Sequence, residues 1–217
     1  MDLIQQLEYE MALWQAGMHV LAGIDEAGRG ALAGPLVAAA VCCDDDRHVE
    51  RVAVFETAHL VRDSKTLSAK QRRAARDFIC EAFGNCGVGI VSSEEIDFFG
   101  IVAANRLAME RAVDQLSCVP EFLLIDAFTI DSGIPQWGII DGDARSFLIS
   151  AASIIAKVTR DEIMDSMMSL YREYSFDRHR GYGTSRHLEE LDEYGPCPIH
   201  RRSFSPVSGN FHTGGIE

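Results

Sequence analysis

No apolar run among the 217 residues approaches the ~18–20 that a membrane-spanning helix needs, which argues against an integral membrane protein. The first residues, Met1-Asp2-Leu3-Ile4-Gln5, lack the basic region of a secretory signal, so the expected compartment is the cytoplasm. The cysteines at 42, 43, 80, 86, 118 and 197 include no C-x-x-C pair. This excludes the usual zinc spacings and a disulfide framework, and they read as reduced core thiols. Repeats and low-complexity linkers are also missing. Lysine is scarce, present only at 65, 70 and 157. The net charge of -13 taken alone argues against a nucleic-acid partner.

The distribution of charge softens that argument. Between Arg62 and Arg76 stand Arg62, Lys65, Lys70, Arg72, Arg73 and Arg76, against Asp63 as the single acid. Arg178-His179-Arg180 and His200-Arg201-Arg202 follow near the C-terminus. Arginine is the better fork for phosphate oxygens. A solvated helix face is the alternative for the first of these runs.

The chain is organised around Gly23-Ile24-Asp25-Glu26-Ala27-Gly28-Arg29-Gly30-Ala31-Leu32-Ala33-Gly34-Pro35, set between two apolar runs. Asp25 and Glu26 end a predicted strand, where carboxylates are costly unless paired or metal-bound. Gly28 and Gly30 allow the backbone close to a ligand, and Arg29 carries a planar cation beside it. An ordinary exposed turn is the bland alternative. A dinucleotide fingerprint is disfavoured, because the last glycine comes one position late and Pro35 stands where a helix should start.

The remaining pattern predicts alternating strands and helices. Residues 2–16 read as a helix with Leu3, Leu7, Met11 and Trp14 on its buried face. Residues 19–25 and 35–43 read as an antiparallel pair, with a further strand near 51–56. A helix over 69–83 is capped by Ser68. A strand over 88–91, a turn capped by Ser92 or Ser93 and a helix over 100–117 follow. Residues 122–125 and 137–140 read as buried strands ending in Asp126 and in Asp141-Gly142-Asp143. Helices over 146–171 and 184–194 complete the chain. This is α/β with a mixed sheet flanked by helices. Asp25, Glu26, Asp126 and Asp143 then share strand ends, where open α/β sheets bind ligands. Such oxygen donors suit Mg²⁺ or Mn²⁺, and two ions roughly 3.5–4 Å apart can activate water and stabilise a leaving oxygen.

Gly23–Val41, Asp63–Ser68, Leu124-Ile125-Asp126, Gly142-Asp143, Ile149–Asp161, Gly181-Tyr182-Gly183-Thr184 and His200-Arg201-Arg202-Ser203-Phe204 together resemble type 2 ribonuclease H, the bacterial ribonuclease HII. The resemblance runs from about residue 20 to about 207. It implies a ribonuclease H-like fold with a small helical C-terminal part: a catalytic unit over 1–170 that includes the N-terminal helix, and a substrate-contacting region and tail over 171–217. It implies a monomeric endonuclease that cuts the RNA strand of RNA–DNA hybrids, and also cuts 5′ to single ribonucleotides in duplex DNA, leaving 5′-phosphate and 3′-hydroxyl ends. The family's metal-binding acids map onto Asp25, Glu26, Asp126 and Asp143. Its 2′-OH-contacting motif maps onto Gly28-Arg29-Gly30, its phosphate-contacting lysine onto Lys65, and its junction-checking tyrosine onto Tyr182.

For Tyr182 a place in the core is the alternative. His179, His187 and His200 are expected at the surface or on phosphates, and Asp161 in an ion pair. Three residues depart from the family pattern: Ala31 for proline, Ala127 for glycine, and Asp141 for lysine. In an extended segment Asp141 would point with Asp143 and add negative charge beside the metals; the alternative is that it points to solvent, where a charge change is worth little. An integrase- or resolvase-like nuclease would share the acids without needing the glycine turn and Tyr182. A non-catalytic hybrid-binding protein would use the acids structurally. Ribonuclease HIII is disfavoured, because too few residues precede Gly23 for its extra domain. The polar tail from Asn210 to Glu217 carries no clear clamp-binding motif.

Overall fold

A computed structural model describes residues 6–43, 61 and 67–209. The strand predicted near 51–56 and the loop residues 62–66, Lys65 among them, lie outside the described residues.

Strands β1 (Leu21–Ala27) and β2 (Leu36–Cys43) flank the glycine turn and pair antiparallel, with Asp25 opposite Ala39. β3 (Cys86–Val91) extends β2 antiparallel. β4 (Phe122–Asp126) and β5 (Gln136–Ile139) add parallel neighbours on the other side of β1. The sheet runs β3-β2-β1-β4-β5, so β1 lies at its centre. Mixed pairing follows from the connections: a short turn joins β1 to β2, whereas β1 reaches its parallel partner β4 only after intervening helices.

The helices among the described residues are α1 (Glu8–Gln15), α2 (Ala69–Phe83), α3 (Ser93–Phe99), α4 (Ile101–Asp114), α5 (Gly142–Arg145), α6 (Phe147–Met167), α7 (Phe176–His179) and α8 (Ser185–Tyr194). Capping residues set several starts. Ser68 and Ser92 form reciprocal capping boxes with Gln71 and Glu95, and Ser146 and Thr184 cap α6 and α8. No helix among the described residues is long and apolar enough to cross a membrane.

Strand alternation divides the core into two layers. Leu21, Ala39, Val41 and Leu124 pack against α6, α2 and α1. Ala22, Ile24, Ala38, Ala40, Leu123 and Ile125 pack against α3 and α4. Helix α6 lies so close to β1 that a Cβ on Gly23 would fall 2.2 Å from the backbone carbon of Leu148. The small apolar start of α6 therefore serves the flat helix–sheet packing its sequence suggests.

The N-terminal helix departs from its sequence pattern. Its buried residues are Glu10 and Leu13, with Leu7 just before it, while Met11 is exposed. Glu10 accepts hydrogen bonds from Ser146 Oγ at 2.6 Å and Leu148 N at 3.1 Å. The carboxylate thus satisfies donors at the start of α6, where the helix dipole favours an acid. Burial nonetheless raises its pKa to about 7.

Residues 174–209 build a cap over the segment that follows the glycine turn. Leu32 N donates to Gly181 O, Gly34 N to Ile199 O, and Arg201 N to Leu32 O. Tyr174 and Phe176 stack beneath it and pack with Ala33 and Met164.

Candidate active site

Five chain segments meet at a cleft of about 430 Å³ at the C-terminal end of β1. Glu26 to Gly30 form one wall. Ser153, Ile154 and Lys157 of α6 form the floor, and Arg72, Asp143 and Tyr182 close the rest. Gly28, Arg29, Gly30, Glu26, Asp143 and Tyr182 are thus brought together in one cleft. Asp25 and Asp126 stand next to this lining without forming it.

The two adjacent acids of β1 meet different helices. Asp25 is buried, accepts a hydrogen bond from Ser153 of α6, and takes the Glu26 N–H at 2.7 Å. Glu26 lies beside Asn105, a buried residue of α4. Burial, then the charges of Glu26 and Asp126, raise the Asp25 pKa well above the carboxylate range. Burial and Asp126 raise Glu26 to about 7, with Arg29 opposing. Asp126 Oδ1 accepts the Gly142 N–H at 2.7 Å, which ties the end of β4 to the start of α5 and hence to Asp143.

These residues fit a hard divalent cation. The donors are all carboxylate oxygens, the class Mg²⁺ and Mn²⁺ take. The buried Glu26 Oε2 has no hydrogen-bond partner, and the mutual repulsion of three acids asks for a positive charge. Among the described residues no group of three or more acidic, histidine or cysteine side chains is placed to hold a metal ion as the side chains stand.

Two backbone departures lie beside the acids. Ala127 adopts φ 55°, a left-handed conformation that glycine takes more readily than alanine. Asp141 adopts φ 53° and ψ 41° and precedes the short helix α5. The segment is not extended, and the expectation that Asp141 and Asp143 point the same way is corrected. Aspartate is among the few residues that accept this conformation readily, and Asp141 is exposed.

The glycine turn is held from below. Gly28 has φ 92°, and a Cβ there would fall 1.9 Å from Arg160 Nε. Arg29 stacks its guanidinium over Phe128 at 4.5 Å. Tyr182 is half-buried, with Lys157 Nζ at 5.7 Å and Arg160 Cζ at 5.1 Å from its ring centre.

The histidines correct their expected surface placement. His179, His187 and His200 are buried, because the 174–209 cap folds them against one another. His179 and His187 stack at 4.1 Å, and His187 Nε2 lies 3.0 Å from His200 Nε2. Arg201 is buried as well. It donates to Gly34 O at 3.1 Å and to Arg29 O at 2.9 Å, so it braces the glycine turn and does not offer itself to phosphate. Burial and the neighbouring Arg160 push its pKa down to about 9. Asp161 does form ion pairs, with Lys157 at 2.7 Å and Arg180 at 3.9 Å. Cys80 is exposed rather than in the core.

Sequence reasoning missed Arg72, Ser153 and Lys157 as cleft residues. Ser153 and Lys157 carried a usable signal: polar residues one helical turn apart in an otherwise apolar run.

A family profile described as Ribonuclease HII matches residues 22–207. A ribonuclease HII of Bacillus pumilus (strain SAFR-032) is 48% identical over 204 residues, 94% of this chain and 76% of the relative. One of Dehalococcoides mccartyi is 45% identical over 203 residues, 93% of each chain. The ribonuclease H2 of Pyrococcus horikoshii OT3 superposes with a TM-score of 0.72 at 27% identity, over 87% of this chain and 95% of that one. Bst-RNase HIII in complex with Mn²⁺ superposes with a TM-score of 0.63 at 20% identity over 91% and 71%, a likeness of fold. Since the matched span contains every segment that lines the cleft, the chain belongs to the ribonuclease HII family, endonucleases that act on the RNA of RNA–DNA hybrids.

Proposed function

We propose that the cleft incises duplex DNA 5′ to a single embedded ribonucleotide, as well as the RNA strand of hybrids, and that it needs Mg²⁺ or Mn²⁺. The observation that carries this reading is the meeting of Gly28, Arg29 and Gly30 with Glu26, Asp143 and Tyr182 in one cleft. Backbone groups of a glycine turn approach a 2′-OH closely enough to tell ribose from deoxyribose. Tyr182, presented beside that turn, stacks on the sugar next to the scissile position. Arg72, Lys157 and, outside the described residues, Lys65 attract phosphate.

In this reading Asp25, Glu26, Asp126 and Asp143 hold the metal. The bound ion supplies Lewis acidity to the phosphodiester and lowers the pKa of water. The chain's own contribution is positional. Gly142 N–H fixes Asp126, Ser153 fixes Asp25, and Arg201 holds the turn so that the ribose and the acids stay in register.

The test is a labelled duplex carrying one ribonucleotide, incubated with Mg²⁺, with Mn²⁺ and with chelator. The expected product is a cut 5′ to the ribonucleotide, with 5′-phosphate and 3′-hydroxyl ends and no cut under chelation. Cleavage of hybrids alone would remove the single-ribonucleotide part of the reading.

A further inference from the structure

Arg160 is fully buried in the middle of α6, where the neighbouring Asp161 charge acts on it while Asp161 itself pairs with Lys157 and Arg180. It is spent instead on backbone and ring. Nε donates to Pro35 O at 3.0 Å and Nη2 to Ala33 O at 3.1 Å. Its guanidinium occupies the space a Gly28 side chain would take. The same group lies 5.1 Å from the centre of the Tyr182 ring, and Nη1 has no hydrogen-bond partner.

A buried cation is normally costly unless paired, so this placement calls for a return elsewhere. Each contact answers to a planar fork. Two donors meet carbonyls on the strand-side end of the segment after the turn, and a flat face serves both Gly28 and the ring. A lysine ammonium, a point charge with no plane, reproduces none of these together.

We propose that Arg160 is a positioning residue for ribose recognition: one guanidinium sets the distance between the Gly28-Arg29-Gly30 turn and the Tyr182 ring. This rests on the reading that the turn and Tyr182 contact the ribose and its neighbour. A single embedded ribonucleotide offers one register in which both contacts are made, so it depends on that distance. A continuous RNA strand offers many registers and tolerates an error in it.

The experiment compares kcat/KM on a single-ribonucleotide duplex and on a uniform RNA–DNA hybrid for wild type, Arg160→Lys, Tyr182→Leu and the double variant. Thermal unfolding verifies that each is folded at the assay temperature. Arg160→Lys is expected to lose at least ~10-fold on the single ribonucleotide, chiefly in kcat, and less than about 3-fold on the hybrid. In the double variant the Arg160→Lys loss should largely vanish, because residues that act through one another are non-additive. Equal losses on both substrates, or multiplicative losses in the double variant, overturn the proposal and leave Arg160 a packing residue. A harmless Tyr182→Leu sinks the underlying reading instead. Should Arg160→Lys not fold, 3-fluorotyrosine at position 182 of the wild type gives the answer by ¹⁹F relaxation. A held ring supports the proposal, and a freely rotating one ends it.

Discussion

Asp126 shows how much one carboxylate is asked to do. Its Oδ1 holds the Gly142 amide, and its charge acts on both Asp25 and Glu26. Asp126→Asn keeps an oxygen acceptor for Gly142 but removes the charge. Cleavage is expected to fall by at least ~10²-fold with the fold intact by circular dichroism, in line with loss of a main electrostatic stabiliser. Next to it, Ala127 sits at φ 55°. A left-handed alanine costs roughly 1–2 kcal/mol that glycine does not pay in sterics, against the greater chain entropy of glycine. Ala127→Gly should therefore stabilise by up to about 1 kcal/mol, read from urea midpoints. A lower midpoint would show that the neighbouring β5 contact, Ala127 N to Ile139 O, relieves the strain.

At the scale of elements, the cap that carries Tyr182 is held by three histidines whose protons are fixed by their partners. His200 Nδ1 accepts from Cys197 N, so its Nε2–H points at His187. His187 Nε2 accepts that proton, and its Nδ1–H donates to Tyr182 O at 3.0 Å. His179 Nδ1 accepts from Gly181 N, and its Nε2–H donates to Glu190. No ring has room for a second proton without losing an acceptor. Burial lowers His187 to about 4 and His200 to about 3, and partners hold Glu190 near 2.

The sign follows from proton counting. Below about pH 6.5 the unfolded histidines bind protons that the folded ones refuse, so this stability is complete above that pH and is lost as pH falls towards 4. For His187 the full effect is on the order of 3 kcal/mol. Glu10, raised to about 7, works the other way by taking up its proton first in the folded state. Acid should therefore loosen the cap before the sheet. Hydrogen exchange, corrected for intrinsic rates, should show amides 179–187 losing protection at pH 5 while β1 and β2 keep theirs. Uniform loss would contradict the local network. The contact between α6 and β1 gives a second check. Gly23→Ala should destabilise by about 2–3 kcal/mol, since a helix backbone and not a side-chain tip stands in the way.

For the whole molecule, a net charge of -13 must coexist with an anionic substrate. The structure divides the cations by role. Arg76 is engaged by Glu162, Arg180 by Asp165, and Arg160 and Arg201 are internal, whereas Arg72, which donates to Leu67 O, and Lys157, paired with Asp161, line the cleft. Binding to hybrid should therefore weaken with salt through a few local contacts. Arg72→Gln should reduce the log–log salt slope by about one. Arg76→Gln should leave it unchanged. A fluorescence-anisotropy titration across salt checks both, and equal slopes for wild type and Arg72→Gln would take Arg72 out of the phosphate contacts.

What the sequence determined by itself is local. Apolar alternation, capping serines and glycine punctuation are written in neighbouring residues, so β1, β2, α2, α6 and α8 were legible within a few positions. The placing of Asp25, Glu26 and Asp126 at strand ends was legible for the same reason. The tertiary structure alone decided which polar residues are inside. His179, His187, His200, Arg160 and Arg201 look like surface cations in a string of letters. Their burial depends on the cap folding across the glycine turn, where backbone carbonyls and one another supply partners that sequence spacing does not encode. Glu10 is the same case, a charged residue by its letter but a helix-start acceptor once α6 lies beside it. Asp141 is the reverse: two residues from Asp143 in sequence, it is separated from it by a left-handed turn whose dihedral angles only the folded β5–α5 corner sets.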